Sequence, residues 1–353
     1  MVTLFQQINA KLMALSVRTL LASAGTLLAL GLGTGLFLDA SPASAPGTRE
    51  TGHEERLGGY RFINPLLDCE ISDDPVEFRE LKPFQDRIER LIRERSDDYR
   101  LAFVSVYFRD LMNGPWFGIN EKEPFTPASL LKVPIVMAAL KQAERDPSFL
   151  SRRIRNTLSE DRNRPQMVKP AAVLAAGEQY PVEELIRRSI VYSDNNAAAL
   201  LAKTVDEGIL LQTYRDLGVK APRLNIQYPF LPVKMYASFF RILFNASYLE
   251  RADSQRALEY LAQSDYRNGL VAGVPPYILV AHKFGEHAEW GPGAWKQLHD
   301  CGIVYYPGHP YLLCVMSRGT DFSALDDIIT EISALTYGEI DRQFGAAARE
   351  LRP

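Results

Sequence analysis

The order of secondary-structure signals predicts an α+β domain with a five-stranded antiparallel sheet built from both ends of the chain. Terminal helices are expected on one face and a mostly helical subdomain on the other. Two observations carry this. Strand alternation is confined to two early segments and three late ones, each group flanked by an amphipathic helix, while the long middle reads as helix. The early pair is joined at Asn113-Gly114, a strong hairpin signal, so those strands run antiparallel.

The elements follow in order. Pro83 suits the first position of a helix reaching about Ser96, with Phe84, Ile88, Leu91 and Ile92 as its apolar stripe. Leu101–Leu111 alternates, with Val104, Val106 and Phe108 on one face, and Trp116–Ile119 returns beside it. Pro127–Leu140 starts a helix that turns wholly apolar after its first turn. Pro147–Gly177 is read only as short helices and polar connections. Val182–Val191 is helical, breaks at Ser193-Asp194-Asn195, and resumes over Ala197–Val205. Pro232–Asn245 and Ser254–Leu261 are further helices. Tyr277–Lys283 reads as a strand, and Gly302–Tyr306 and Tyr311–Met316 as a hairpin. Asp321 can cap a last helix striped by Leu325, Ile328, Ile332 and Leu335. The aromatic group Tyr236, Phe239 and Phe240 reads as core; Tyr228, Phe230, Trp290 and Trp295 are candidates for a cleft rim.

The 353 residues are 46% hydrophobic and 24% charged, enough for a large core. A net charge of −3 with mixed signs gives no nucleic-acid footprint. Thr19–Leu38 has no charge, follows Lys11 and Arg18, and is long enough to span a bilayer. It predicts a single-pass anchor over residues 1–40 with the rest of the chain outside the cytoplasm. A cleaved signal segment is the alternative, but Pro46 after Ala43-Ser44-Ala45 disfavours cleavage. Residues 41–74 then read as tether and lead-in, and 75–353 as the domain. The three cysteines fit no metal spacing and read as small buried residues, the odd count leaving at least one without a partner in the chain. No metal or organic cofactor is expected.

Chemistry concentrates at three places. Ser129 and Lys132 share one helical face a turn apart. A serine hydroxyl needs a base to become a nucleophile, and a lysine is that base only when burial or a second cation lowers its pKa. Val133–Leu140 supplies the dry wall. Ser193-Asp194-Asn195 sits at a helix break, where polar side chains can reach over a cleft. His282-Lys283-Phe284-Gly285 ends a predicted strand.

In this order and setting the three segments resemble the signature of class A β-lactamases and penicillin-binding proteins. The resemblance covers about Arg79 to the C-terminus and implies the β-lactamase/transpeptidase-like fold. Carried over, it makes Ser129 the acylated nucleophile and Lys132 its proton acceptor. Ser193 relays a proton to the leaving nitrogen. Lys283 holds the Ser193 hydroxyl and keeps Lys132 deprotonated. Asn195 binds the substrate amide, and Gly285 and Glu286 line the substrate edge, with the backbone N–H groups of Ser129 and Glu286 as the oxyanion hole. Asp194 reads as a structural turn residue.

Two departures stand out. Phe284, a candidate substrate-lining residue, replaces the Thr or Ser whose hydroxyl binds the substrate carboxylate in the family. His299, expected beside Gly285 if the two strands pair, is a candidate replacement contact, as is His287. The glutamate that activates the deacylating water in class A enzymes has no counterpart, since 217–249 contains no Asp or Glu. Glu178 and Asp161 are conceivable substitutes without positive support. The expectation is an extracytoplasmic serine hydrolase that forms a Ser129 acyl-enzyme with β-lactams, D-Ala-type peptides or a related amide or ester and deacylates slowly. The alternative is a catalytically silent, membrane-tethered module that binds cell-wall material or protein.

Overall fold

A computed structural model describes residues 54–69, 81–96, 100–112, 114–219, 230–289, 291 and 293–350. The apolar stretch 19–38, the cleavage-site candidate, Asn113, Trp290 and residues 220–229 with Tyr228 lie outside them.

The main sheet has five antiparallel strands: β1 (Phe103–Asp110), β2 (Trp116–Ile119), β3 (Val280–Ala288), β4 (Lys296–Val304) and β5 (Tyr311–Gly319). Their spatial order is β2-β1-β5-β4-β3, so the first and last thirds of the chain meet where β1 pairs with β5. Eight α-helices surround the sheet among the described residues: α1 (Lys82–Arg95), α2 (Lys132–Arg145), α3 (Val182–Val191), α4 (Asn195–Thr204), α5 (Glu207–Asp216), α6 (Val233–Phe244), α7 (Arg251–Ala262) and α8 (Phe322–Glu350).

Both faces of the sheet are buried, and the two-residue period divides them. Val104, Val106 and Phe108 of β1 and Leu313 and Val315 of β5 face α1 and α8, packing on Phe84, Ile88, Leu325, Ile328 and Ile332. Tyr107, Leu312, Cys314 and Met316 face the helical side, against α2, α3 and α6. Tyr236, Phe239 and Phe240 are fully buried there, as their spacing predicts. Phe62 and Ile63 join this second core, so the lead-in before the domain is packed, and Glu54–Arg56 pairs with Leu66–Cys69.

Three boundaries differ from the sequence reading. The segment Ala128–Leu131 is a 3₁₀ turn, and α2 begins only at Lys132. Pro134 explains this: it has no N–H to give the Leu130 carbonyl, and its ring crowds that carbonyl in α geometry. β3 begins at Val280 and continues to Ala288, so Lys283 lies within the strand rather than at its end. β4 begins at Lys296, which puts His299 inside it. The cysteine reading also changes, because Cys301 and Cys314 oppose each other on β4 and β5 and form a disulfide. Among the described residues no helix is long and apolar enough to cross a membrane.

Candidate active site

The site forms where the 3₁₀ turn carrying Ser129, the α3–α4 break and edge strand β3 converge. Gly285 permits the closest of these approaches. A Cβ there would lie 2.9 Å from both the Pro127 carbonyl oxygen and Leu130 Cγ, so only glycine lets the turn rest on the strand. Two non-glycine residues at the site have left-handed backbone, Ala128 at φ 48° and Ser193 at φ 53°. Each such residue costs on the order of 1 kcal/mol or more and persists where surrounding contacts hold it.

Those contacts are visible at Ser193. Asp194 caps α4, its Oδ1 accepting from Asn196 N at 2.8 Å and Ala197 N at 3.3 Å, and Asn163 Nδ2 donates to the same oxygen at 2.9 Å. Asn163 Oδ1 in turn accepts from Asn195 N at 2.7 Å. Gln166 Nε2 donates to the Ser193 carbonyl at 3.0 Å. Asp194 is therefore a structural turn residue, as read. Of the supporting segment 161–168 the sequence reading names only Asp161, and for a different role. Its only local clue is Asp161-Arg162-Asn163, which forms an Asx turn through Asn163 N donating to Asp161 Oδ1 at 2.9 Å.

The reactive groups lie in one connected network. Lys132 Nζ is 3.0 Å from Ser129 Oγ, 3.0 Å from Ser193 Oγ, and donates to the Ser193 carbonyl at 2.6 Å. Lys283 Nζ donates to Ser193 Oγ at 3.0 Å and to the Phe284 carbonyl at 2.9 Å. Lys132 is only 5% exposed, and Ser193 and Lys283 are wholly buried. Burial, then repulsion from Lys283, holds the Lys132 amine well below its usual pKa. Burial lowers Lys283 to about 7, against the pull of Asp300, Asp265 and Glu286. Two adjacent buried amines titrate as a pair, and the pair favours the neutral state for Lys132.

The remaining candidates fall in different places. Asn195 borders an open polar cavity of about 660 Å³ with Asp161, Arg162 and Arg164, and its Nδ2 donates to the Arg162 carbonyl at 3.0 Å. The Glu286 carboxylate crosses to the opposite wall, where Met167 N and Val168 N donate to Oε1 at 2.8 and 3.0 Å.

Two predicted contacts need correction. His299 does pair with Gly285 in the sheet, but its ring is buried. Its Nε2 is 3.0 Å from the Thr126 carbonyl oxygen, so that nitrogen carries the proton. Burial also lowers its pKa to about 4, so it stands as a neutral strut rather than an anion contact. Phe284 is 1% exposed, stacks on Tyr266 at 4.1 Å, and presents its ring to Lys283 Nζ at 4.1 Å. Alternation and the Tyr266 platform turn the ring into the protein, leaving no surface for a substrate.

The Asn163 N–H, and then Asn196 Nδ2 donating at 2.8 Å, keep the Asp161 carboxyl below the usual range. Glu178 is exposed beside a short strand. Neither carboxylate shares a hydrogen bond with Ser129. Among the described residues no cluster of three His, Cys, Asp or Glu side chains could hold a metal ion.

Comparison with known proteins agrees with this geometry. The family model described as "Beta-lactamase enzyme family" matches residues 83–340. A β-lactamase of Streptomyces albus G is 27% identical over 253 residues, which are 66% of this chain and 77% of that protein. Among solved structures, a mutant of PBP-A in an acyl-enzyme complex with penicillin G superposes with a TM-score of 0.60 at 20% identity. It covers 74% of this chain and 97% of its own. A class A β-lactamase from Mycobacterium abscessus gives a TM-score of 0.60 at 20% identity, covering 73% and 99%. The matched span contains the whole serine–lysine network and the sheet that supports it, and the chain is accordingly a serine hydrolase belonging to the β-lactamase enzyme family.

Proposed function

We propose that this site transfers an acyl group to Ser129 from a β-lactam, a D-Ala-type peptide or a related amide or ester. One observation carries the reading: a buried amine, Lys132, sits 3.0 Å from both the Ser129 and Ser193 hydroxyls while a second amine, Lys283, holds Ser193 from behind. Neutral Lys132 takes the Ser129 proton as the oxygen attacks the carbonyl. The N–H groups of Ser129 and Glu286 receive the oxyanion. The proton passes from Lys132 through the Ser193 hydroxyl to the leaving nitrogen of an amide or the leaving oxygen of an ester, and the acyl group stays on Ser129. Asn195 holds the acyl-side amide by exchanging the Arg162 carbonyl for substrate.

Deacylation is slow in this reading, because 217–249 contains no carboxylate to activate water. The protein acts outside the cytoplasm, tethered through 19–38. The cross-strand disulfide supports an oxidising compartment.

The test is to mix the full-length chain, in mild detergent, with penicillin G and follow intact mass, with nitrocefin colour in parallel. A lasting penicilloyl adduct, absent in Ser129→Ala and accompanied by little colour, is the expected result. No adduct with penicillin or an activated ester would leave the silent binding module as the function. That second reading draws on Phe284, which removes a substrate-binding hydroxyl.

A further inference from the structure

Glu286 does something that its backbone role does not require. Its side chain leaves the edge strand directly after Gly285 and reaches the facing loop, accepting from Met167 N at 2.8 Å and from Val168 N at 3.0 and 3.3 Å. Burial raises the pKa of this carboxyl group, and the two N–H donors and the site amines oppose that shift by favouring the anion. It also lies within electrostatic reach of both site amines, Lys283 and Lys132. The carboxylate thus joins the two walls of the cleft, on the same residue whose backbone N–H would hold the oxyanion. Whatever carbonyl reacts there has this negative charge as a neighbour.

The two amines at the nucleophile are already engaged. Lys283 Nζ donates to Ser193 Oγ and the Phe284 carbonyl, and lies over the Phe284 ring. Lys132 is kept neutral by burial and by Lys283. Phe284 places a buried ring where a hydroxyl could have met a carboxylate.

We propose that Glu286 is a specificity-determining residue: its carboxylate, clamped between β3 and the Met167–Val168 backbone, selects against acyl donors with a carboxylate next to the scissile bond. It favours neutral or cationic ones, such as esters, amidated peptides or amine-bearing amides. This rests on the acyl-transfer reading above and sharpens its substrate class. Two unit charges roughly 8 Å apart at an effective dielectric of about 20 repel enough to change affinity about 30-fold.

The test separates binding from chemistry. Affinities of benzylpenicillin and its methyl ester are measured by calorimetry on the Ser129→Ala chain, where no bond can form, and again on Ser129→Ala/Glu286→Gln. Glutamine keeps the size of the side chain and one acceptor oxygen while removing the charge. The expected result is an ester that binds about 30-fold tighter than the acid in the first protein, with the ratio falling to within about threefold in the second. Three results would overturn the proposal: acid and ester binding alike in the first protein, an unchanged ratio in the second, or measurable binding of neither ligand. The first comparison needs no change at Glu286, so it stands even if the double variant does not fold. Adduct formation on Ser129 in the unaltered chain is a separate measurement, and either result can fail while the other holds.

Discussion

Replacing Lys283 with methionine exposes what this site costs the fold. Burial holds the Lys283 amine at about 7, against about 10.4 in an unfolded chain. With the folded value below the unfolded one, the unfolded chain binds more protons between these limits, so stability must rise with pH. The penalty is present in full below about pH 7 and is relieved by about pH 10. For this one group the gain between pH 7 and 9.5 is ~3 kcal/mol. Higher pH would mix in Tyr236 and Tyr311, whose pKa values burial raises and whose ionisation in the unfolded chain pulls stability the other way. Urea unfolding of wild type and Lys283→Met at the two pH values is the assay. Wild type should gain ~3 kcal/mol more than the variant. Lys132 adds the same sign in both proteins, and less in the variant, because losing Lys283 removes a like charge from it. At pH 7 the variant should be at least as stable as wild type, despite the lost bonds to Ser193 and Phe284, while penicilloylation of Ser129 falls at least ~100-fold. Parallel stability profiles in the two proteins would refute the argument that a buried ammonium is held here at a cost.

Three further outcomes are expected. The rate of Ser129 adduct formation, read by quenched-flow mass measurement, should show an acid limb from Lys132 and decline through about pH 7 as Lys283 loses its proton; Lys283→Arg, which stays charged, should remove the decline. Gly285→Ala should slow adduct formation at least ~10-fold with the circular dichroism spectrum unchanged, because the new methyl displaces the turn carrying Ser129. Asp194→Ala should lower stability in urea by ~1–2 kcal/mol through loss of the α4 cap, with Asn163 Nδ2 losing its acceptor.

The sheet and most helices were legible because their patterns are local. Val104, Val106 and Phe108 alternate, the α1 stripe repeats at helical spacing, and Asp321 caps the last helix through Ser323 N at 2.7 Å. The motif residues Ser129, Lys132, Ser193 and Lys283 were equally visible, since their order along the chain carries the signal. Less legible was everything set by tertiary contact. His299 could be placed opposite Gly285 from pairing alone, but nothing local says that the Thr126 carbonyl waits beneath its ring. The burial of Phe284 depends on Tyr266, eighteen positions earlier in the sequence. Asn163 and Gln166 brace Ser193 from a segment with no period of its own. Cys301 and Cys314 became a pair only once the register of β4 on β5 was known.

The pairing of β1 with β5 also bears on how the molecule comes into being. Those strands are about two hundred positions apart, so the centre of the sheet cannot close until β5 has been made. Lys283 arrives only shortly before β5, well after Ser129 and Ser193. A nascent or truncated chain would carry the first two segments without the third, and would be a slow folder with an open strand edge rather than a partial hydrolase. Catalytic competence is thereby tied to synthesis of the chain through β5.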